Sequence, residues 1–195
     1  MVEEHHLSVS KTARYHTVGD PSMAQEVWIV LHGYGQLARY FLRPFVGLEK
    51  DRLIAAPEGL SRYYTDAEHS RVGATWMTRE DREHEIADQI AYLDRLAEHL
   101  LGSCAPGIPL SVLGFSQGVA TACRWAMRGR TSLARIVLWG GTLPPEYAAA
   151  DLGHRLKKTE VVLVHGDQDM VVNAASHAGN EARLRESDVS YRAMH

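Results

Sequence analysis

At 195 residues, with 45% hydrophobic and 23% charged side chains, the chain has the length of one domain (residues 1–195) and the composition of a globular protein with a sizeable core. A formal net charge of −3 sets up no field that would attract nucleic acid or an anionic membrane surface. No stretch approaches the roughly 18 apolar residues of a bilayer span, and Met1–Lys11 has no apolar run of the signal-peptide kind, so a cytoplasmic protein is expected.

In chain order, His6 to Val18 reads as an early strand, closed by Gly19-Asp20-Pro21. Glu26 to Leu31, apolar and rich in β-branched residues, reads as a buried parallel strand. Gln36 to Leu48 reads as a helix that bends near Pro44, and Arg52 to Ala56 as the next strand. Leu60 to Met77 reads as a long loop whose Tyr63, Tyr64 and Trp76 suggest a binding surface. Thr78 reads as a helix cap with Asp81 reaching back, and the helix runs to about Leu101 on the stripe Ile86, Ile90, Leu93, Ala97, Leu100. Strand Pro109–Phe115, helix Gln117–Arg128, strands Leu133–Trp139 and Val161–His165, helix Ala174–Glu186 and strand Val189–Met194 complete the chain. The alternation predicts an α/β fold, a mainly parallel sheet with helices on both faces and its site at the carboxyl ends of the strands.

Two motifs fall at such strand ends. Gly114-Phe115-Ser116-Gln117-Gly118 is a GxSxG pattern between strand and helix. Its glycines relieve crowding in a sharp turn that projects the serine, with the start of the helix behind it to stabilise negative charge. The bare pattern arises by chance in roughly one chain in fifteen, so its strand–turn–helix setting carries the weight. His32-Gly33-Tyr34-Gly35-Gln36 follows an earlier strand, where such enzymes place a second oxyanion donor. The backbone N–H groups of Tyr34 and Gln117 are therefore the expected oxyanion hole. The segment from Gly33 to Ala38 also matches G-x-G-x-x-A, with Glu58 after the next strand, which keeps a dinucleotide-binding oxidoreductase open as an alternative. That alternative leaves Ser116 and Asp169 without a role.

Asp169 follows the strand ending near His165, in the order serine, acid, histidine. Together with Leu31-His32-Gly33-Tyr34-Gly35, Ala56-Pro57-Glu58-Gly59, Trp76-Met77, the Ser116 segment, and His165-Gly166-Asp167-Gln168-Asp169 with Val171-Val172, it resembles the acyl-protein thioesterase/carboxylesterase (phospholipase/carboxylesterase) family. The resemblance implies a cofactor-free α/β-hydrolase acting on a small-molecule ester or thioester, with Trp76 walling the substrate site. Two departures stand out. Val119 replaces a glycine that many members carry after Gly118. The last strand runs straight into His195, without the glycine-bearing turn and final helix of the family, so the C-terminal end of the fold is expected to be missing. His195 is one candidate for the general base. The other reading places the base beyond residue 195, which makes this chain an impaired or inert hydrolase-fold fragment.

The remaining candidates are plain. Cys104 and Cys123 form neither a CxxC pair nor a zinc spacing. His84-Glu85 fails as HExxH because Asp88 stands where the second histidine belongs, and His5-His6 reads as a frayed end, so no metal is expected.

Overall fold

The computed structural model describes residues 1–166 and 174–194. Its main sheet has seven strands: β1 (Tyr15–Val18), β2 (Glu26–Leu31), β3 (Arg52–Pro57), β6 (Leu110–Phe115), β7 (Arg135–Trp139), β8 (Glu160–Val164) and β9 (Tyr191–Met194). Their order across the sheet is β1-β3-β2-β6-β7-β8-β9. Only β1 runs antiparallel to its neighbour. Register aligns the strand ends: Leu31 lies opposite Gly114, Phe115 opposite Trp139, and Trp139 opposite Val164. The expected mainly parallel sheet is therefore present, with its carboxyl ends level.

Side-chain alternation sorts the core between the two faces. Val27, Ile29, Leu31, Val112, Ile136, Leu138, Val161 and Leu163 pack under α2 (Arg82–Gly102), α3 (Gln117–Arg128), α4 (Ala149–Leu156) and α5 (Ala174–Glu186). Val30, Ile54, Ala56 and Leu113 face the other way, against α1 (Ala38–Phe41) and the 3-10 turn Arg43–Phe45. Each such Val, Leu or Ile side chain, fully buried, contributes about 1.5–3 kcal/mol. Both cysteines are free thiols, and burial pushes the Cys123 thiol up to about 12.

Several boundaries differ from expectation. The first strand covers only Tyr15–Val18, because only those residues pair with β3. The helix expected over Gln36–Leu48 is four residues of α1 and one 3-10 turn; Pro44 lacks the N–H that a longer helix needs. The expected loop 60–77 holds a two-stranded antiparallel sheet, β4 (Ser61–Tyr64) and β5 (Val72–Thr75). The long helix begins at Arg82, with Asp81 at a left-handed φ of 47° and making no capping bond. Glu85, rather than Asp81, reaches back to accept from the Thr78 N–H. Helix α4, interrupted in sequence by Gly153, was not anticipated.

Candidate active site

The β6–α3 turn is set by steric contact. Ser116 adopts φ 53° and ψ −115°, a backbone state that costs a non-glycine residue about 1–3 kcal/mol and persists only where its surroundings enforce it. They do so through glycine. A Cβ on Gly114 would lie 2.3 Å from the Gly118 oxygen, and one on Gly118 would lie 2.3 Å from the Leu31 oxygen. A Cβ on Gly141 would lie 2.5 Å from the Ser116 oxygen. The Ser116 N–H donates to the Trp139 carbonyl at 2.9 Å. Its side chain, half-buried at the N-cap position, makes no capping bond to α3, so the hydroxyl is not consumed by the helix. Gln117 opens the helix, where an N–H has no acceptor one turn back.

The strip from Gly33 to Gln36 lies against this turn. A Cβ on Gly33 would sit 3.3 Å from the Ser116 Cβ. Polar contacts hold the strip. The Gln36 side chain accepts from the Gly33 N–H at 2.7 Å. Gly35 donates to the Ala74 carbonyl and Ala74 to the Gln36 carbonyl, fastening the strip to β5. His32 is fully buried, with Nδ1 2.7 Å from the Gly33 oxygen and Nε2 3.0 Å from the Gly59 nitrogen. A carbonyl cannot donate, so the proton sits on Nδ1, and Nε2 accepts from Gly59. Burial holds the imidazole below its ordinary pKa, with the Gly33 bond and the Glu58 charge opposing, which keeps it neutral. Since carbonyl and N–H point opposite ways across a trans peptide, the bond from His32 to the Gly33 oxygen orients the Tyr34 N–H away from His32.

Behind the strip, Glu58 has no exposed side-chain surface, ion-pairs with Arg14 and Arg62, and accepts from the Ala38 N–H. Burial opposes its ionisation, but the two guanidinia prevail and hold the carboxyl below the usual range. Glu58 is thus committed within the fold, and α1 is only four residues long, so neither feature supplies what the dinucleotide reading requires.

The family profile described as phospholipase/carboxylesterase matches residues 15–188. The chain belongs to the phospholipase/carboxylesterase family. Solved structures agree on the fold. An acyl-protein thioesterase 2 from Zea mays superimposes with a TM-score of 0.69 at 21% identity, covering 94% of this chain and 90% of that one. A carboxylesterase from Bacillus cereus gives 0.68 at 13% identity, covering 93% and 84%. A phospholipase/carboxylesterase from Dyadobacter fermentans gives 0.62 at 21% identity, covering 95% and 88%. No curated protein matches the chain. As a member of this family it has the α/β-hydrolase fold with ester-hydrolase relatives.

Of the residues expected at a family site, Ser116, Tyr34 and Gln117 come together around the β2 and β6 ends. Asp169 and His195 lie outside the described residues. Trp76 is 2% exposed. Its indole N–H donates to the His32 carbonyl at 2.8 Å and its ring lies 5.0 Å from the His32 ring, so it braces the strip from behind. The Tyr34 side chain is 60% exposed and tilts against Tyr63, whose phenol is pushed up by burial and by the adjacent Tyr34 hydroxyl.

Sequence reasoning missed the work of the Gln117 side chain. Its carbonyl oxygen lies 3.1 Å from both the Trp76 nitrogen and the Thr75 hydroxyl, and its amide nitrogen donates to the Met77 carbonyl at 2.9 Å. It thereby joins the elbow to the end of β5. Asn180 was missed too; it donates to the Gly141 carbonyl and accepts from the Leu143 N–H, holding the segment that closes on Ser116. Gly140-Gly141 after a strand was the available signal for that close approach.

Proposed function

We propose that this chain hydrolyses small-molecule carboxylic esters or thioesters through an acyl-enzyme on Ser116, without a cofactor. The carrying observation is the strained Ser116 backbone at a glycine-enforced strand–helix turn, with its hydroxyl unspent on the helix. An imidazole base takes the hydroxyl proton as Ser116 Oγ attacks the carbonyl carbon. The oxyanion is held by the backbone N–H groups of Tyr34 and Gln117, each contributing about 3 kcal/mol in the transition state. The imidazolium returns its proton to the leaving alcohol or thiol. Water, deprotonated by the same imidazole, then releases the carboxylic acid and regenerates Ser116. Asp169 orients the imidazole and stabilises its charge. His195 is the base in this reading.

A second reading is an impaired hydrolase, in which no base reaches Ser116. Hydrolysis of p-nitrophenyl butyrate by the wild type, Ser116→Ala and His195→Ala separates the readings. Turnover lost in both variants supports the full mechanism. A wild-type rate equal to that of Ser116→Ala supports the impaired reading.

A further inference from the structure

Away from the elbow, three ligand-type side chains converge from distant parts of the chain. His6 Nε2 lies 3.3 Å from Asp81 Oδ1, and His84 Nδ1 lies 2.7 Å from the same oxygen. The two imidazoles stack with centroids 4.1 Å apart. The ligand atoms of all three residues lie within 4.8 Å of one another, the one such group of three among the described residues. Glu4 Oε1 stands 3.2 Å from His6 Nε2.

Two features make this more than a chance meeting of surface groups. Residues 1–14 have no regular structure, yet they are tied to the fold: Lys11 donates to the Leu60 carbonyl and Arg14 to Glu58, and His6 lies beside the start of α2. Asp81 holds its carboxylate there from a left-handed backbone, φ 47°, which a non-glycine residue adopts only at a cost, and it makes no helix cap in return. Two imidazoles then compete for one carboxylate oxygen. A divalent ion beside the carboxylate would take all three ligands once the two stacked rings turn their nitrogens toward it.

We propose that His6, Asp81 and His84 form a binding site for a zinc-like divalent cation that clips the N-terminal segment to the start of α2. Tetrahedral zinc at about 2.0–2.2 Å from nitrogen and oxygen requires ligand atoms about 3.3 Å apart; here they lie 2.7 Å, 3.3 Å and at most 4.8 Å apart. Two nitrogen donors out of three select Zn²⁺ over Mg²⁺ or Ca²⁺, which take oxygen ligands. Glu4 or water completes the shell. The site is independent of Ser116 chemistry.

The test is titration of the full chain with Zn²⁺ in a non-coordinating buffer, with Mg²⁺ as control and His154→Ala as a surface-histidine control. Circular dichroism in chelator confirms folding of each variant. The expected result is saturable uptake of one ion per chain, unchanged in His154→Ala. His6→Ala and His84→Ala should each weaken it about tenfold or more, at least the loss seen when a ligand's supporting partner is removed. Zn²⁺ should also slow tryptic cleavage after Lys11 in the wild type but not in His84→Ala. No saturable uptake, or uptake in His6→Ala and His84→Ala equal to that of the wild type, overturns the site. Uptake without protection at Lys11 overturns the clip.

Discussion

The elbow at Ser116 and the strip at Gly33–Gln36 lie side by side but are held by opposite means. The elbow is fixed by steric closeness, with Gly114, Gly118 and Gly141 each leaving no room for a Cβ. The strip is fixed by polar side chains: His32, Gln36 and, behind them, Glu58 and Trp76. The elbow should therefore respond to added volume and ignore pH, while the strip should respond to lost hydrogen bonds and to acid.

Gly118→Ala breaks the steric side and should have the largest effect. Its Cβ would meet the Leu31 oxygen at 2.3 Å, backbone that cannot rotate away. A loss of about 3 kcal/mol is expected, roughly 6–12 °C in thermal midpoint, and a change below 2 °C would refute the steric account. His32→Leu breaks the polar side. It leaves the Gly59 N–H unpaired and frees the Gly33–Tyr34 peptide, costing about 2 kcal/mol of stability. If the Tyr34 N–H serves the oxyanion, kcat should fall about 100-fold with little change in KM. Gln117→Leu severs the tie between the elbow and the end of β5, orphaning the Trp76 backbone N–H for about 1–2 kcal/mol, measured by urea denaturation.

The pH profile sharpens the contrast. His32 has a folded pKa below 6.5, so as pH falls below that value the unfolded chain takes up a proton that the folded chain refuses. Its contribution to stability is full above 6.5 and declines below it. Glu58, held below 4.5, adds a second decline as pH falls from 4.5 through its folded pKa. Urea midpoints across this range should show the first decline in the wild type and not in His32→Leu. Tyr34→Phe should matter least: it removes one hydroxyl from a largely exposed residue and keeps the backbone donor, so stability should shift by less than about 0.5 kcal/mol.

How legible each part was in the sequence follows from the range of the interactions behind it. The β6–Ser116–α3 unit was readable because its signals are local: an apolar run, two flanking glycines and a helical stripe. Helices α3 and α5 match their expected limits for the same reason. Strands β4 and β5 were not readable, since they pair only with each other across the polar stretch Asp66–Arg71 and carry Ser61, Arg62 and Gly73 where strands favour β-branched residues. The bonds of Gln117 to Thr75, Trp76 and Met77, and the meeting of His6 with Asp81 and His84, join residues too far apart for any local pattern. Asp169 and His195 stand as sequence expectations alone.

The most direct test of the central claim, that Ser116 is an activated nucleophile, is fluorophosphonate labelling of the intact chain read by peptide mass spectrometry. The account predicts one adduct, on Ser116, absent from Ser116→Ala. A folded chain that stays unlabelled, or carries its adduct on another residue, would contradict it.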